Sequence, residues 1–368
     1  MNEQNRELYQ SLQMHLDKMP VGFPKTKSGV EISLLKKLFS SEEAIIATKL
    51  NFFPLSLKKI YRKLKKNEIT IDELKQKLDV MVQKGLIMTL ESNGISSYSN
   101  IPYLIGIWEM QLGRLTPEVA SESYKYFHES YFENGYNKTG IPQMRTIPIE
   151  KAIKNESTVA TYDQVRKIIN NSDKIALTDC ICRIGKDLIG QSCKKTDLRE
   201  TCIMLGTFAK MRIENGLAKP ISKKEALGLL EKTEKEGLVP QTSNSQDPLV
   251  ICSCCGCCCE ILSSQRKFEK SAQFFATNFH AMVNLDDCIG CGTCAERCNM
   301  DAKIILENNK HEINLDRCIG CGLCVPTCPQ GAIKLIKKRG ETIPPKNTVD
   351  TYTSIINKKA DMARKLNR

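Results

Sequence analysis

Apolar side chains recur at helical spacing in three successive runs between residues 41 and 84. The first, 41–50, opens on Ser41, and the second, 55–66, is basic. The third begins at Thr70, which forms a capping-box pattern with Glu73. It sets Leu74, Leu78, Met81 and Val82 on one face and stops at Gly85. The period then shortens. Residues 86–91 and 95–100 flank Asn93-Gly94, a strong hairpin signal. A helical stretch over 104–134 comes next, and Gly and Pro punctuate a linker over 135–148. From 149 onward the pattern predicts an amphipathic helix at 161–170 and an apolar strand at 174–182. A helix capped by Ser222 and Glu225 ends before Gly237, and a polar loop over 241–247 leads into the apolar run 249–252. Between 281 and 337 the chain repeats itself at an offset of 30 residues, each copy ending in a strand. Residues 338–368 read as a polar, basic tail. The expected fold class is α+β and multi-domain, divided at 1–148, 149–280, 281–337 and 338–368, with an α/β middle domain.

Composition narrows this picture. With 26% charged and 41% hydrophobic residues, the 368-residue chain has the make-up of a soluble globular protein with more than one core. The N-terminus is polar from the start, and no apolar run nears the roughly 20 residues of a membrane span, so a cytoplasmic protein without a transmembrane segment is expected. Eighteen cysteines without an export signal, many in CxxC spacing, point to thiolate ligation of metal rather than to disulfides. The formal charge of +12 counts those cysteines as neutral. A four-iron cluster on four thiolates carries about −2, so two such groups would lower the total to about +8. The basic excess is concentrated at the end of the chain, where ten basic and three acidic residues follow from Lys334 onward.

The repeat carries the clearest chemistry. Asp287-Cys-Ile-Gly-Cys-Gly-Thr-Cys-Ala-Glu-Arg-Cys298 aligns on Arg317-Cys-Ile-Gly-Cys-Gly-Leu-Cys-Val-Pro-Thr-Cys328. Three cysteines two apart wrap one face of a cubane, and the fourth, three further on, points away. The two CxxCxxCxxxC runs resemble the bacterial-type dicluster ferredoxins. That resemblance implies two [4Fe-4S] clusters with crossed ligands: Cys288, Cys291, Cys294 and Cys328 on one, and Cys298, Cys318, Cys321 and Cys324 on the other. Pro329 follows Cys328 as the family pattern requires, whereas Asn299 occupies the matching place in the first copy.

Ten cysteines lie upstream. Cys180 and Cys182, at i and i+2 on the expected strand, would project to one face. With Cys193 after a loop and Cys202 at the start of a helix, they supply four thiolates, enough for a third cluster. Arg183 would offset its charge. Cys252, Cys254, Cys255, Cys257, Cys258 and Cys259 crowd into eight residues. Three readings of that loop stand open: a fourth cluster borrowing a ligand from the 180–202 group, an unusual cluster with an open site, or dithiol chemistry by the spare thiols. The string Cys254-Cys255-Gly256 resembles part of the CCG motif of heterodisulfide-reductase-type subunits.

The order of three helices and a two-stranded hairpin over 41–100 is that of a winged helix. Its basic run holds Lys58, Lys59, Arg62, Lys63, Lys65 and Lys66, but the helix that would enter a DNA groove opens with Asp72 and Glu73. Those carboxylates suit a helix N-terminus, which favours protein docking or scaffolding over nucleic-acid binding. His15, His128, His280, His311 and Trp108 read as packing or surface residues, and without a GxGxxG or Walker loop no nicotinamide or ATP use is indicated. The whole chain resembles multi-cluster iron–sulfur proteins of anaerobes. The expectation is an electron-transfer protein that passes low-potential electrons between a redox protein partner and the cysteine-rich middle domain. Two alternatives remain: a redox enzyme reducing a disulfide-type substrate at Cys252–Cys259, and a redox-responsive DNA-binding regulator.

Overall fold

The structure, a computed structural model, describes residues 3–64, 69–92, 94–153 and 159–366. The chain forms two compact units, Met1–Thr139 with Ile355–Arg368, and Gly140–Ser354.

The first unit begins with α1 (Glu3–Asp17) and α2 (Val30–Leu38), two helices that the sequence reading left out. Next come α3 (Ser41–Ala47), β1 (Leu55–Ser56), α4 (Leu57–Lys63) and α5 (Ile71–Gln83), followed by β2 (Ile87–Ser92) and β3 (Ile95–Asn100). Ser40, not Ser41, caps α3, through a capping box with Glu43, and Thr70 with Glu73 caps α5 as expected. Strand β3 lies between β1 and β2, antiparallel to each. Leu74, Leu78, Met81 and Val82 are buried, as their spacing requires. Lys65, Lys66 and Asn93 lie outside the described residues. The helical stretch expected over 104–134 consists of α6 (Trp108–Met110), α7 (Pro117–Tyr126) and a wider-wound helical segment over Phe127–Tyr136. Thr116 caps α7 and Pro117 opens it, so this break is written in the sequence. Trp108 is fully buried against Tyr124 and Phe127.

The second unit is built on a six-stranded sheet of order β4-β8-β9-β6-β5-β7. Its members are β4 (Met144–Thr146), β5 (Ile175–Asp179), β6 (Glu200–Leu205), β7 (Lys219–Pro220), β8 (Val239–Ser243) and β9 (Val250–Cys254). Every pairing is antiparallel, which corrects the expected α/β middle domain. The supposed linker over 135–148 is likewise corrected, because β4 is an edge strand of this sheet. Helices α8 (Val165–Asn171), α9 (Ile181–Leu188), α10 (Gly206–Glu214) and α11 (Lys223–Lys235) connect the strands. Val165, Ile168 and Ile169 of α8 and Ala226 and Leu230 of α11 pack on Leu177, Ile203 and Ile251 and make the core of one sheet face.

After α12 (Glu260–Gln265) the repeat folds as β10 (Phe279–Val283), α13 (Thr293–Glu296), β11 (Lys303–Ile305), β12 (His311–Ile313) and β13 (Ile333–Lys337). Strand β10 pairs with β13 and β11 with β12. This module is fastened to the rest of its unit. Ile149 N–H donates to the Cys321 carbonyl at 3.0 Å, and Arg317 donates to the carbonyls of Arg266 and Phe268. The basic tail proves to be α14 (Thr348–Leu366). The segment before it and its first turn are tied to the 241–247 loop, where Gln246 N–H donates to Pro345 O at 2.8 Å and Thr351 Oγ1 of α14 to Asn244 O at 2.7 Å.

Candidate metal centres

The eighteen cysteines all lie in the second unit, and none is paired in a disulfide. In the repeat they line two cavities. Cys288, Cys291, Cys294 and Cys328 face one, and Cys298, Cys318, Cys321 and Cys324 face the other. The fourth cysteine of each run therefore crosses to the cavity of the other run.

Glycine makes this close wrapping feasible. Gly320 has φ +67°, and a Cβ there would stand 2.2 Å from the Phe279 carbonyl oxygen; at Gly322 it would meet the Ala152 methyl at 2.5 Å. Backbone amides donate to sulfur from Ala281 to Cys318 at 3.4 Å and from Ala302 to Cys298 at 3.3 Å. Such bonds stabilise a thiolate ligand. Lys303 lines the second cavity, and its Nζ is buried without a hydrogen-bond partner. A buried, uncompensated ammonium is costly, so a cavity that holds one fits an anionic guest.

The ten upstream cysteines do not divide at the loop boundary: one thiol of the 180–202 group passes to the cysteine-dense loop, as the ligand-borrowing reading allowed, and the others join a second set. Cys180 is not on a strand. Strand β5 ends at Asp179 behind a bulge, and Cys180 becomes the N-cap of α9, with Cys182 in the first turn. An N-cap side chain faces the second and third helical residues, so the two thiols are still neighbours, each shifting the other's titration. Cys202 is not at a helix start but on β6, directly opposite Cys252 of β9. The two-residue period of β9 turns Ile251 into the hydrophobic core and Cys252 and Cys254 to the other face. Cys259, the N-cap of α12, joins them. Each thiol shifts the titration of the next, Cys180 with Cys182, Cys182 with Cys259, Cys259 with Cys254, Cys254 with Cys252 and Cys252 with Cys202, so these sulfurs are neighbours. The result is a string of six sulfurs.

Cys193 leaves the group proposed for it. Its loop carries it to Cys255, Cys257 and Cys258, and the four Sγ atoms all lie within 4.8 Å of one another. The distances are 3.7 Å from Cys193 to Cys255, 3.7 Å to Cys257 and 3.7 Å from Cys257 to Cys258. Thiol hydrogen bonds from Cys255 and Cys258 hold Cys257 down at about 3, and those from Cys182 and Cys254 bring Cys259 to about 6. Donors near Cys252, first Cys202 and then Cys254, lower it as well. Thiolates are thus favoured at three of the ten positions.

Between the two sets lies Arg183, 1% exposed, donating to Thr201 Oγ1 at 2.6 Å and to Ser253 O at 2.8 Å. Its Nε is buried without a partner. Burial alone would ease its deprotonation, but the surrounding sulfurs of Cys180, Cys255, Cys254 and Cys193, which become anionic as ligands, act the other way and keep it a firm cation. A buried ion pair, Lys186 with Glu260 at 3.4 Å, holds α9 to α12.

Two residues that sequence reasoning passed over organise these sites. Lys303 gave no signal beyond being one lysine among many. Asn299 was noted only as a missing proline. It is 3% exposed; its Oδ1 accepts from Gly256 N–H at 2.9 Å and its Nδ2 donates to Gly237 O at 2.9 Å. A Cβ on Gly256 would lie 2.7 Å from the Asn299 carbonyl oxygen. The cysteine-dense loop is therefore clamped to the residue that follows Cys298.

The family model of the 4Fe-4S dicluster domain matches residues 281–335. The chain carries a 4Fe-4S dicluster domain near its C-terminus, and a further cysteine cluster lies in the middle region. No curated protein matches the chain. Among the described residues no helix is long and apolar enough to cross a membrane.

Proposed function

We propose that this chain is an iron–sulfur electron-transfer protein, passing single low-potential electrons between a redox protein partner and a centre in its cysteine-rich middle region. The observation that carries this reading is the Asn299 clamp, which joins the chain beside Cys298 to the loop between Cys255 and Cys257 by one hydrogen bond. In this reading Cys288, Cys291, Cys294 and Cys328 hold one [4Fe-4S] cluster and Cys298, Cys318, Cys321 and Cys324 a second. A third iron–sulfur cluster takes its ligands from Cys180, Cys182, Cys202, Cys252, Cys254 and Cys259. The clusters supply the electron-accepting levels, and the protein's own groups tune them. Amides of Ala281 and Ala302 donate to ligand sulfur, while Lys303 and Arg183 place positive charge where an added electron resides. No proton need move.

A substrate-reducing site in the loop would need an accessible thiol; Cys254, Cys255, Cys258 and Cys259 are buried and none of the six is fully exposed, Cys252 and Cys257 being half-buried, which favours ligation. The elements over 41–100 are read as a winged helix that docks the partner. Its exposed Lys58, Lys59, Arg62 and Lys63 suit an acidic protein surface. Nucleic-acid binding at that face would instead show as affinity falling steeply with salt.

The test is iron per chain with electron paramagnetic resonance on anaerobically purified protein. Two ferredoxin-type signals and a third, distinct signal are expected on reduction, with at least about twelve irons. About eight irons and two signals would refute a middle-region cluster.

A further inference from the structure

We infer that Cys193, Cys255, Cys257 and Cys258 bind a single tetrahedral metal ion, zinc or iron, rather than a cluster. This goes beyond the electron-transfer reading and stands whether or not that reading holds.

The spacing of the sulfurs is the ground for it. Four thiolates on one ion, with metal–sulfur bonds of about 2.3 Å, stand at the corners of a tetrahedron whose edges are about 3.8 Å. Three of the sulfur pairs here are 3.7 Å apart, and the whole set lies within 4.8 Å. In a cubane each thiolate takes its own iron, so two ligand sulfurs are separated by two bonds and an iron–iron edge. The same unit offers the comparison. Among the described residues, no three cysteines of the repeat approach one another as closely as this quartet.

The chain path agrees. A cubane is wrapped by cysteines with two residues between them, so that the loop spreads around one of its faces. Cys255-Gly256-Cys257-Cys258 packs three thiols around a single glycine, and that glycine cannot swing outward because its amide is held by Asn299. Cys193 closes the set from a distant loop, and the sequence supplies no fifth thiol there. Four soft thiolates in tetrahedral array select zinc or iron over harder ions. Charge agrees too. A divalent ion on four thiolates leaves a net charge of −2, and in the open pocket of about 370 Å³ onto which Cys193 faces Lys194, Lys195 and Lys232 outnumber Asp197 and Glu236.

The experiment measures zinc, iron and acid-labile sulfide in the full-length protein after anaerobic purification. It is repeated on Cys193→Ser and Cys257→Ala. Cubanes contain iron and sulfide in equal number, so the wild-type protein should hold one metal ion per chain in excess of sulfide. Each variant should lose that ion and keep its sulfide and its ferredoxin-type resonances. Zinc lost identifies a zinc site, and X-ray absorption at the zinc edge should then show four sulfur neighbours. Iron lost, with a high-spin ferric resonance, identifies an iron site. Equal metal and sulfide in the wild type would overturn the inference without any variant having to fold. So would a variant that loses irons and sulfides together, or one whose metal content does not change. The electron-transfer reading fails on the resonances of the remaining clusters, a separate readout.

Discussion

Replacing Asn299 with alanine removes one side chain and leaves two buried backbone groups, Gly256 N–H and Gly237 C=O, without their partner. Both bonds are 2.9 Å long and Asn299 is only 3% exposed, so water cannot readily take its place. An unsatisfied buried donor costs about 1–3 kcal/mol. Spent on local opening of the cysteine-dense loop, that loss corresponds to roughly 5- to 140-fold faster amide exchange at Gly256. Hydrogen–deuterium exchange on the metal-loaded protein, followed by mass spectrometry of peptides covering Cys252–Cys259, reads it directly. Peptides from 41–100, in the other unit, serve as the unchanged reference. Asn299→Asp is the companion variant, because it keeps an acceptor for Gly256 and forfeits only the donor to Gly237. Its Gly256 amide should stay protected. If exchange at Gly256 in Asn299→Ala stays within about twofold of wild type, the clamp does not hold the loop.

Other outcomes follow from the same geometry. Arg183→Met removes a buried cation set among Cys180, Cys254, Cys255 and Cys193, so the middle-region cluster should become harder to reduce. A redox titration followed by paramagnetic resonance would show its potential falling, and an unchanged potential would mean that Arg183 is merely structural. His15 Nε2 donates to Leu50 O at 2.8 Å, and burial, ahead of neighbouring lysines, lowers its folded pKa. The unfolded chain therefore binds the proton more readily than the folded one. The first unit should be fully stable above about pH 6.5 and lose stability as pH falls from there towards the folded value. Urea unfolding from about pH 7.5 to 5 should show that slope, and His15→Gln should flatten it.

What could be read from the sequence, and what could not, follows a physical divide. Local signals were sufficient wherever one element decides. The Thr70 and Ser222 capping boxes, the β2–β3 hairpin and the repeat of cysteines each depend on neighbours a few residues apart. The crossing of Cys298 and Cys328 came from the ferredoxin resemblance, and the two cavities show the same pairing of cysteines. The upstream cysteines depend instead on sheet order. That β6 runs beside β9, and so sets Cys202 against Cys252, is a tertiary fact with no local trace. The loop between Cys182 and Cys202 likewise hides where Cys193 goes, since a flexible connection does not specify its endpoint. Reading 174–182 as one strand failed because Cys180 can cap a helix as readily as it extends a strand. Asn299 was the one visible clue to the clamp: a departure from the repeat at a position where the family needs only a turn.

The crossing of the fourth cysteines also sets an order of assembly. The first cavity of the repeat lacks a wall until Cys328 has been synthesised, and the second until Cys318, Cys321 and Cys324 have joined Cys298. The Cys193 quartet has all its members once the ribosome has passed Cys258. A nascent chain can therefore complete its smallest thiol site some seventy residues before either ferredoxin cavity closes. When both do close, they close almost together, within the last cysteine-bearing stretch of the protein.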